Sequence, residues 1–370
     1  MKKILYIANI RFPTERAHGI QIAKMCEAFA RSGTDVTLVV PWRFNHVKTS
    51  PFEYYDIESN FTIKKLPALD LVFLGRIGFW IETVSFMVAS VVYSLCANFD
   101  IVYSREEAIA WSHKVLDKKV IWEAHMGHTG FMVRSIIKSG MRLVVISEGL
   151  KKLYQTMGSH ENRILVAPDA VDVKKFSVNM SKSECRKKLG LPIGKKIVMY
   201  TGHLYEWKGV NVLAEASQKL PADMIVVFVG GTSSDVERFS NTYGHLDNLL
   251  ILGQRNHDDI PYYLKSADML VLPNSGKSEI SRLYTSPMKL FEYMASGVPI
   301  VASDLPSVRE VVDDGMVFFT APDNPANMSE AIISAMASEE GDRKAIRAKK
   351  HAVTYYDWMV RARVIIKYMS

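Results

Sequence analysis

Thr285-Ser286-Pro287-Met288-Lys289-Leu290-Phe291-Glu292-Tyr293-Met294-Ala295-Ser296-Gly297-Val298-Pro299-Ile300-Val301-Ala302 reads as a helix start, a helix and a buried strand. Ser286 fits the N-cap, where a side-chain oxygen takes a helix amide. Pro287 fits the first helical position, where its missing N–H costs nothing. Leu290, Phe291 and Met294 give an apolar face at helical spacing. Gly297 stops the helix, and Ile300 to Ala302 suit a strand covered on both faces. Free amides at a helix start attract anions, phosphates above all. Glu292 lies about one and a half turns beyond Ser286, within reach of the same ligand. An anion at the tip and a carboxylate further in suit a diphosphate and a ribose. For this stretch alone, a well-capped helix with a solvated Glu is the better reading.

The same strand and helix alternation runs through the chain. Lys3 to Ile10 is an apolar run, Ile20 to Ala30 has helical spacing, and Asp35 to Pro41 is again strand-like. Further strands are expected at 61–66, 100–104, 119–125, 143–147 and 164–168. The segment 173–196 is polar and Lys-rich and suits a domain junction. The alternation then restarts with strands at 197–202, 224–230, 249–253, 269–273, 300–302 and 316–320, and helices run from there to Ser370. Such alternation builds parallel sheets, so two series imply two doubly wound domains. The expected division is 1–175, joined by 356–370, and 176–355. Ligands of such folds sit at the carboxyl ends of the strands, here in a cleft between the domains.

At 370 residues, two cores are expected rather than one. With 48% apolar and 23% charged residues the composition is globular, without low-complexity runs. The net charge of +7 is uneven: Met1 to Lys175 carry 23 Lys and Arg against 17 Asp and Glu. A basic first half fits an acidic partner such as phospholipid, lipid-linked phosphate or nucleic acid. Cys26, Cys96 and Cys185 are odd in number and widely spaced, which excludes a disulfide framework and favours a reducing, cytoplasmic setting. The apolar run after Lys2-Lys3 is too short for a signal peptide. Leu71 to Phe99 is the most apolar segment, but Arg76, Gly78 and Glu82 interrupt it. A buried helix packed on the sheet is expected there rather than a span. The alternative is a partly exposed face touching a membrane.

Gly202-His203-Leu204-Tyr205-Glu206-Trp207-Lys208-Gly209 follows a strand and precedes a helix, placing His203 and Lys208 at a sheet's carboxyl edge. A Lys there opposes the helix dipole and is better explained by an anion, such as a diphosphate leaving group. Gly19 opens a helix after the first strand, where the absent side chain lets a ligand approach; a turn glycine explains it as well. Glu123 and His125 end a strand and alternate to one side. The pair suits a sugar hydroxyl, and no cluster supplies the further ligands of a tight metal site. No Gly-x-Gly-x-x-Gly, Walker loop, Gly-x-Ser-x-Gly or Cys/His nucleophile pair occurs.

These pieces in this order resemble the retaining sugar-nucleotide glycosyltransferases of family 4, with the GT-B fold. The most specific parts are Val166-Ala167-Pro168-Asp169-Ala170-Val171-Asp172, Gly202 to Gly209, Gly253-Gln254-Arg255, Ala267 to Pro273 and the stretch quoted first. Tyr355-Tyr356-Asp357-Trp358 and the helix after it resemble the segment that crosses back to the first domain. The resemblance implies roles. Glu292 would bind the donor ribose. Ser286, Pro287 and the amides of Met288 and Lys289 would hold the diphosphate beside Gly202. Lys208 would stabilise the leaving diphosphate, with His203 where the family often has Arg. Gly19 would admit the donor phosphate, His125 would face the transferred sugar, and Arg255 would lie near the base. The family often has a second Glu eight positions before the ribose Glu. Tyr284 stands there, and Glu279 from the preceding loop is the substitute.

The resemblance thus implies transfer of a sugar from a UDP- or GDP-type donor to a glycan or lipid-linked acceptor, with no tightly bound cofactor, no metal and no nucleic acid. The first domain's basic surface and the Leu71–Phe99 segment together lead us to expect peripheral contact at the inner face of a membrane. Competing readings are a sugar-nucleotide epimerase or phosphorylase on the same fold, and a non-catalytic sugar-nucleotide or glycan-binding module.

Overall fold

A computed structural model describes residues 1–370. The chain forms two compact units, Met1–Pro168 with Trp358–Ser370, and Asp169–Asp357. The change of unit falls seven residues before the position expected from the polar segment. Hydrogen bonding explains the shift: the Val171 amide donates to the Tyr356 carbonyl at 2.8 Å, and Val171 bridges Asp357. Phe176 is buried in the core of the second unit, so the connecting segment belongs there.

The first unit holds seven parallel strands: β1 (Lys3–Ile7), β2 (Asp35–Pro41), β3 (Thr62–Leu66), β4 (Ile101–Ser104), β5 (Val120–Ala124), β6 (Arg142–Val145) and β7 (Ile164–Val166). Their order is β3-β2-β1-β4-β5-β6-β7. Ile4 pairs with Val36 on one side and Ile101 on the other, so the chain reverses its winding between β1 and β4. The second unit repeats the scheme with β8 (Lys196–Thr201), β9 (Met224–Val229), β10 (Leu249–Gly253), β11 (Met269–Leu272), β12 (Ile300–Ser303) and β13 (Phe318–Thr320). Their order is β10-β9-β8-β11-β12-β13, with the reversal between β8 and β11. In such sheets the loops leaving the two reversal strands part to opposite faces and open a crevice at their carboxyl ends.

Central strands are apolar throughout because both faces are covered. Every residue of β9, β11 and β12 is buried. On one face Met199, Val227 and Leu270 pack with Leu290, Phe291 and Met294 of the helix Met288–Ser296. On the other, Val198, Phe228 and Val271 meet Leu213, Met328 and Ile332. Truncating Phe291 to Ala in such a core costs about 3–5 kcal/mol.

The C-terminal helix Trp358–Met369 packs on the helix Ala17–Arg31 of the first unit. Its Arg361 is 4% exposed, and its guanidinium donates to the carbonyls of Ala167 and Pro168. That explains why a segment remote in sequence completes the first sheet's packing.

The Leu71–Phe99 segment departs from expectation. It forms a short 3-10 turn, Val72–Leu74, and a 22-residue helix, Gly75–Cys96, that connects β3 to β4. Only Gly78, Glu82, Phe86, Ser90 and Ser94 are buried. They recur every fourth residue, a single stripe. The large apolar residues lie on the opposite face, exposed. Total apolarity made the helix look internal, but its orientation depends on the small residues that let it sit close to the sheet.

Candidate functional site

The second unit gathers its notable groups at the reversal between β8 and β11. Gly202 follows β8 with φ 125°, a backbone conformation that favours glycine. A side chain there would lie 3.0 Å from Cδ of Lys289, so the loop after β8 and the helix Met288–Ser296 are in close approach. Tyr293 of that helix holds the strand end, its hydroxyl accepting the Thr201 amide at 2.9 Å. Gly209, at φ 71°, has the Pro273 carbonyl where a Cβ would stand, which presses the same loop against the end of β11.

The start of the helix Met288–Ser296 corrects the sequence reading. Pro287 is the N-cap residue rather than the first helical one, and no side chain caps the helix. The Ser286 hydroxyl instead accepts the backbone N–H of Asp169 at 2.8 Å. That partner lies 117 residues away, and no local pattern could have revealed it. The first-turn amides of Met288 and Lys289 therefore have no side-chain cap, and they carry the positive end of the helix dipole.

Two ammonium groups flank this tip. Lys208 ends the short turn Glu206–Lys208, and its Nζ sits 3.7 Å from the Trp207 ring centroid. Lys289 Nζ donates to the Tyr200 hydroxyl at 2.6 Å, and Tyr200 donates in turn to the His203 carbonyl at 2.7 Å. Neither ammonium has a carboxylate in ion-pair contact. Burial pulls Lys208 down to about 8. Burial, with repulsion from Lys208, puts Lys289 well below the ordinary lysine range. Glu292 lies one turn further along, partly buried and without a hydrogen-bond partner. Burial pushes its carboxyl up to about 7, against the opposing pull of Lys289 and Lys175. Titratable groups perturbed in this way cluster at functional sites.

The remaining expected residues are placed as follows. His203 is exposed, stacked on Tyr205 with centroids 4.9 Å apart, and its Nδ1 is 3.7 Å from Asp235. Burial lowers its pKa despite the raising effect of Asp235, so at neutral pH it is a weaker cation than an Arg would be. Arg255 follows β10, and its Nε donates to the Tyr263 hydroxyl at 3.1 Å. Glu279 precedes a π-helical turn, Ile280–Tyr284, and accepts the Tyr284 hydroxyl at 3.1 Å.

The first unit holds the other two. His125 follows β5, its Nε2 2.6 Å from Glu123. Burial would raise the Glu123 carboxyl, but Arg361 and His125 hold it well below the usual range. Arg361 Nη2 donates to Glu123 at 2.8 Å, and the Tyr103 hydroxyl donates to the same carboxylate. The Glu123/His125 pair is thus the end of a buried ionic network anchored on the C-terminal helix. No three or more His, Cys, Asp or Glu side chains are grouped as a metal site. Gly19 is the third residue of its helix, and a Cβ there would meet the Tyr55 hydroxyl at 2.2 Å and Thr14. Packing against Tyr55 and Thr14 thus requires a glycine there.

Sequence reasoning missed several contributors. Tyr200 and Tyr293 orient the loop after β8, and both look like core aromatics in the sequence. His18 is a neighbour of His125 and Arg105, and burial with Arg105 lowers its pKa to about 4. Its position one residue before Gly19, after the first strand, was the available signal.

This arrangement can be set beside known proteins. Residues 181–352 match the family described as Glycosyl transferases group 1. The match spans 172 of the 370 residues, nearly all of the second unit. The matched stretch contains the loop after β8 and the whole helix Met288–Ser296. A phosphatidyl-myo-inositol mannosyltransferase of Mycobacterium leprae is 25% identical over 290 residues, 73% of each chain. Other curated relatives match over about half of their own length. The sucrose-phosphate synthase of Thermosynechococcus elongatus superposes with a TM-score of 0.81 at 16% identity, covering 99% of this chain and 98% of that one. Anabaena Alr3699/HepE in complex with UDP-glucose superposes with a TM-score of 0.75 at 17% identity, covering 99% of both. At these identities the structural likenesses establish the GT-B fold alone.

Proposed function

We propose that the chain is a retaining glycosyltransferase that moves a hexosyl-type sugar from a nucleoside diphosphate to a glycan or lipid-linked acceptor. One observation carries the reading: an uncapped helix tip flanked by Lys208 and Lys289, neither paired with a carboxylate, with the Glu292 carboxyl one turn further in. A diphosphate at the tip accepts from the amides of Met288 and Lys289 and from the Ser286 hydroxyl, whose own hydrogen is still available. It also neutralises both ammonium groups. Glu292, once ionised, accepts from two ribose hydroxyls. Arg255 serves the base side.

In the transfer the sugar C1–O bond to phosphate breaks and the electron pair stays on the diphosphate. The two lysines and the helix tip stabilise that charge as it grows. The acceptor oxygen bonds C1 on the face the phosphate leaves, and its proton passes to the leaving oxygen. No protein base is required. Glu279, which accepts the Tyr284 hydroxyl, takes the sugar contact that position 284 does not supply. The mannosyltransferase and UDP-glucose relatives support a nucleotide-sugar donor.

The test is sugar release and transfer from a panel of UDP- and GDP-sugars. Lys208→Ala and Glu292→Ala are expected to lose most activity while remaining folded. Full transfer by either variant overturns the site assignment.

A further inference from the structure

The helix Gly75–Cys96 is built inside out. Its buried stripe is Gly78, Glu82, Phe86, Ser90 and Ser94, mostly small or polar. Its outer face carries Ile77, Trp80, Val84, Val88, Val92 and Leu95, all exposed. These recur at three- and four-residue spacing, so they form one continuous stripe about 27 Å long. Soluble monomers rarely expose a contiguous apolar face of this extent without using it.

The polar groups say what covers it. Glu82, the helix's one acid, is turned inward and accepts from Asn9 Nδ2 at 3.2 Å. No charged residue occurs from Thr83 to Phe99. The acids at the two ends are already engaged: Asp70 by Arg43, and Asp100 by the Lys3 amide. The rim carries several cations, and the exposed Asp117 among them pairs with Lys114. Arg76 lies in the first turn, and Lys64 and Lys65 are exposed on the adjoining edge strand β3. Lys48 sits 5.2 Å over the Phe44 ring, and Lys118 sits 5.6 Å over the Phe99 ring. Near the helix start, Trp42 is 64% exposed, Phe44 77% and Phe73 80%. Exposed aromatics beside cations, around an apolar stripe, match the boundary between lipid headgroups and acyl chains.

The helix is long and apolar enough to cross a bilayer by composition. It does not stand free to do so, because it joins β3 to β4 and buries one residue in four against its own unit. A second copy of the chain is disfavoured by charge, since a symmetric contact would set cationic rim against cationic rim.

We propose that this face lies flat in the surface of an anionic membrane, with the stripe in the acyl boundary and the lysine rim on the headgroups. The proposal is independent of the donor reading, and Lys208→Ala leaves it untouched.

The test is flotation of the full chain with phosphatidylethanolamine vesicles containing phosphatidylglycerol, against phosphatidylcholine vesicles alone. The chain is expected to float with the anionic vesicles and to be released by high salt. Val84→Glu with Val88→Glu alters only exposed positions and is expected to weaken flotation at least about tenfold. Its melting temperature and nucleotide binding should match those of the parent. Lys64→Glu with Lys65→Glu should abolish the preference for anionic lipid. Absence of flotation, or equal flotation by the Val84/Val88 variant, overturns the proposal. So does a dimer in light scattering that this variant dissociates, because a second copy then covers the face.

Discussion

The Ser286 hydroxyl accepts the Asp169 amide at 2.8 Å, and this leaves the helix Met288–Ser296 without a side-chain cap. The bond ties the start of the second unit to the helix tip and commits the serine's acceptor lone pair elsewhere. Ser286→Ala removes it and leaves a buried N–H unpaired, at a cost of about 1–3 kcal/mol. A lower melting temperature and weaker nucleoside diphosphate binding are expected together. Unchanged stability would show that the Asp169 amide finds another partner.

Lys208 supplies a pH dependence. Its pKa is about 8 in the chain and returns toward the ordinary lysine value once a diphosphate lies beside it. Binding therefore takes up a proton near pH 8, and affinity falls as pH rises through about 8. Calorimetry in buffers of different ionisation enthalpy measures the uptake. Lys208→Met should remove the part of the uptake centred near pH 8, leaving that of Lys289, and weaken binding by about 2 kcal/mol, roughly thirtyfold.

Glu292 opposes its own fold. Its folded pKa, about 7, lies above the ordinary carboxylate value of 4.5. The folded chain holds the proton more tightly, so this stability is full below pH 4.5 and lost as pH rises through 7. Glu292→Gln should raise the melting temperature at pH 8, by a gain of about 1 kcal/mol, while weakening nucleotide binding. A variant that is no more stable and binds equally well would contradict both halves.

Glu123 has the opposite sign. Its carboxyl is held well below the usual range, so its contribution is present above the ordinary carboxylate pKa and lost as pH falls through the depressed value. Arg361→Met leaves a 2%-exposed carboxylate without its guanidinium. A loss of about 3–5 kcal/mol at neutral pH is expected, from thermal or urea unfolding. Adding Glu123→Gln should recover part of it.

The sequence carried the two sheets because central parallel strands are unbroken apolar runs, as in β9 and β11. The placement of Gly202, Lys208 and Glu292 was legible too, since each follows a strand or lies on a strongly periodic helix. Contacts between distant residues were not. Ser286 was assigned as a helix cap, but Asp169 takes it. The Lys289 ammonium was overlooked beside its amide, because only the fold brings it to Tyr200. The packing of Tyr55 and Thr14 against Gly19 was not visible either. The helix 75–96 was expected to be buried, since apolar content alone does not say which stripe faces the sheet. Four small or polar residues at every fourth position decide that, and they stand out only once the helix register is known.

The central claim is the diphosphate seat at the tip of the helix Met288–Ser296. The direct measurement is a thermal-shift and calorimetric titration with UDP and GDP on the parent and on the Lys208→Ala/Lys289→Ala double variant. A ligand at a hundred times its Kd stabilises the folded state by about 2.7 kcal/mol. The account predicts a shift of that order for at least one nucleotide with the parent and none at the same concentration with the folded double variant. No shift with either nucleotide, or an equal shift in the double variant, contradicts it.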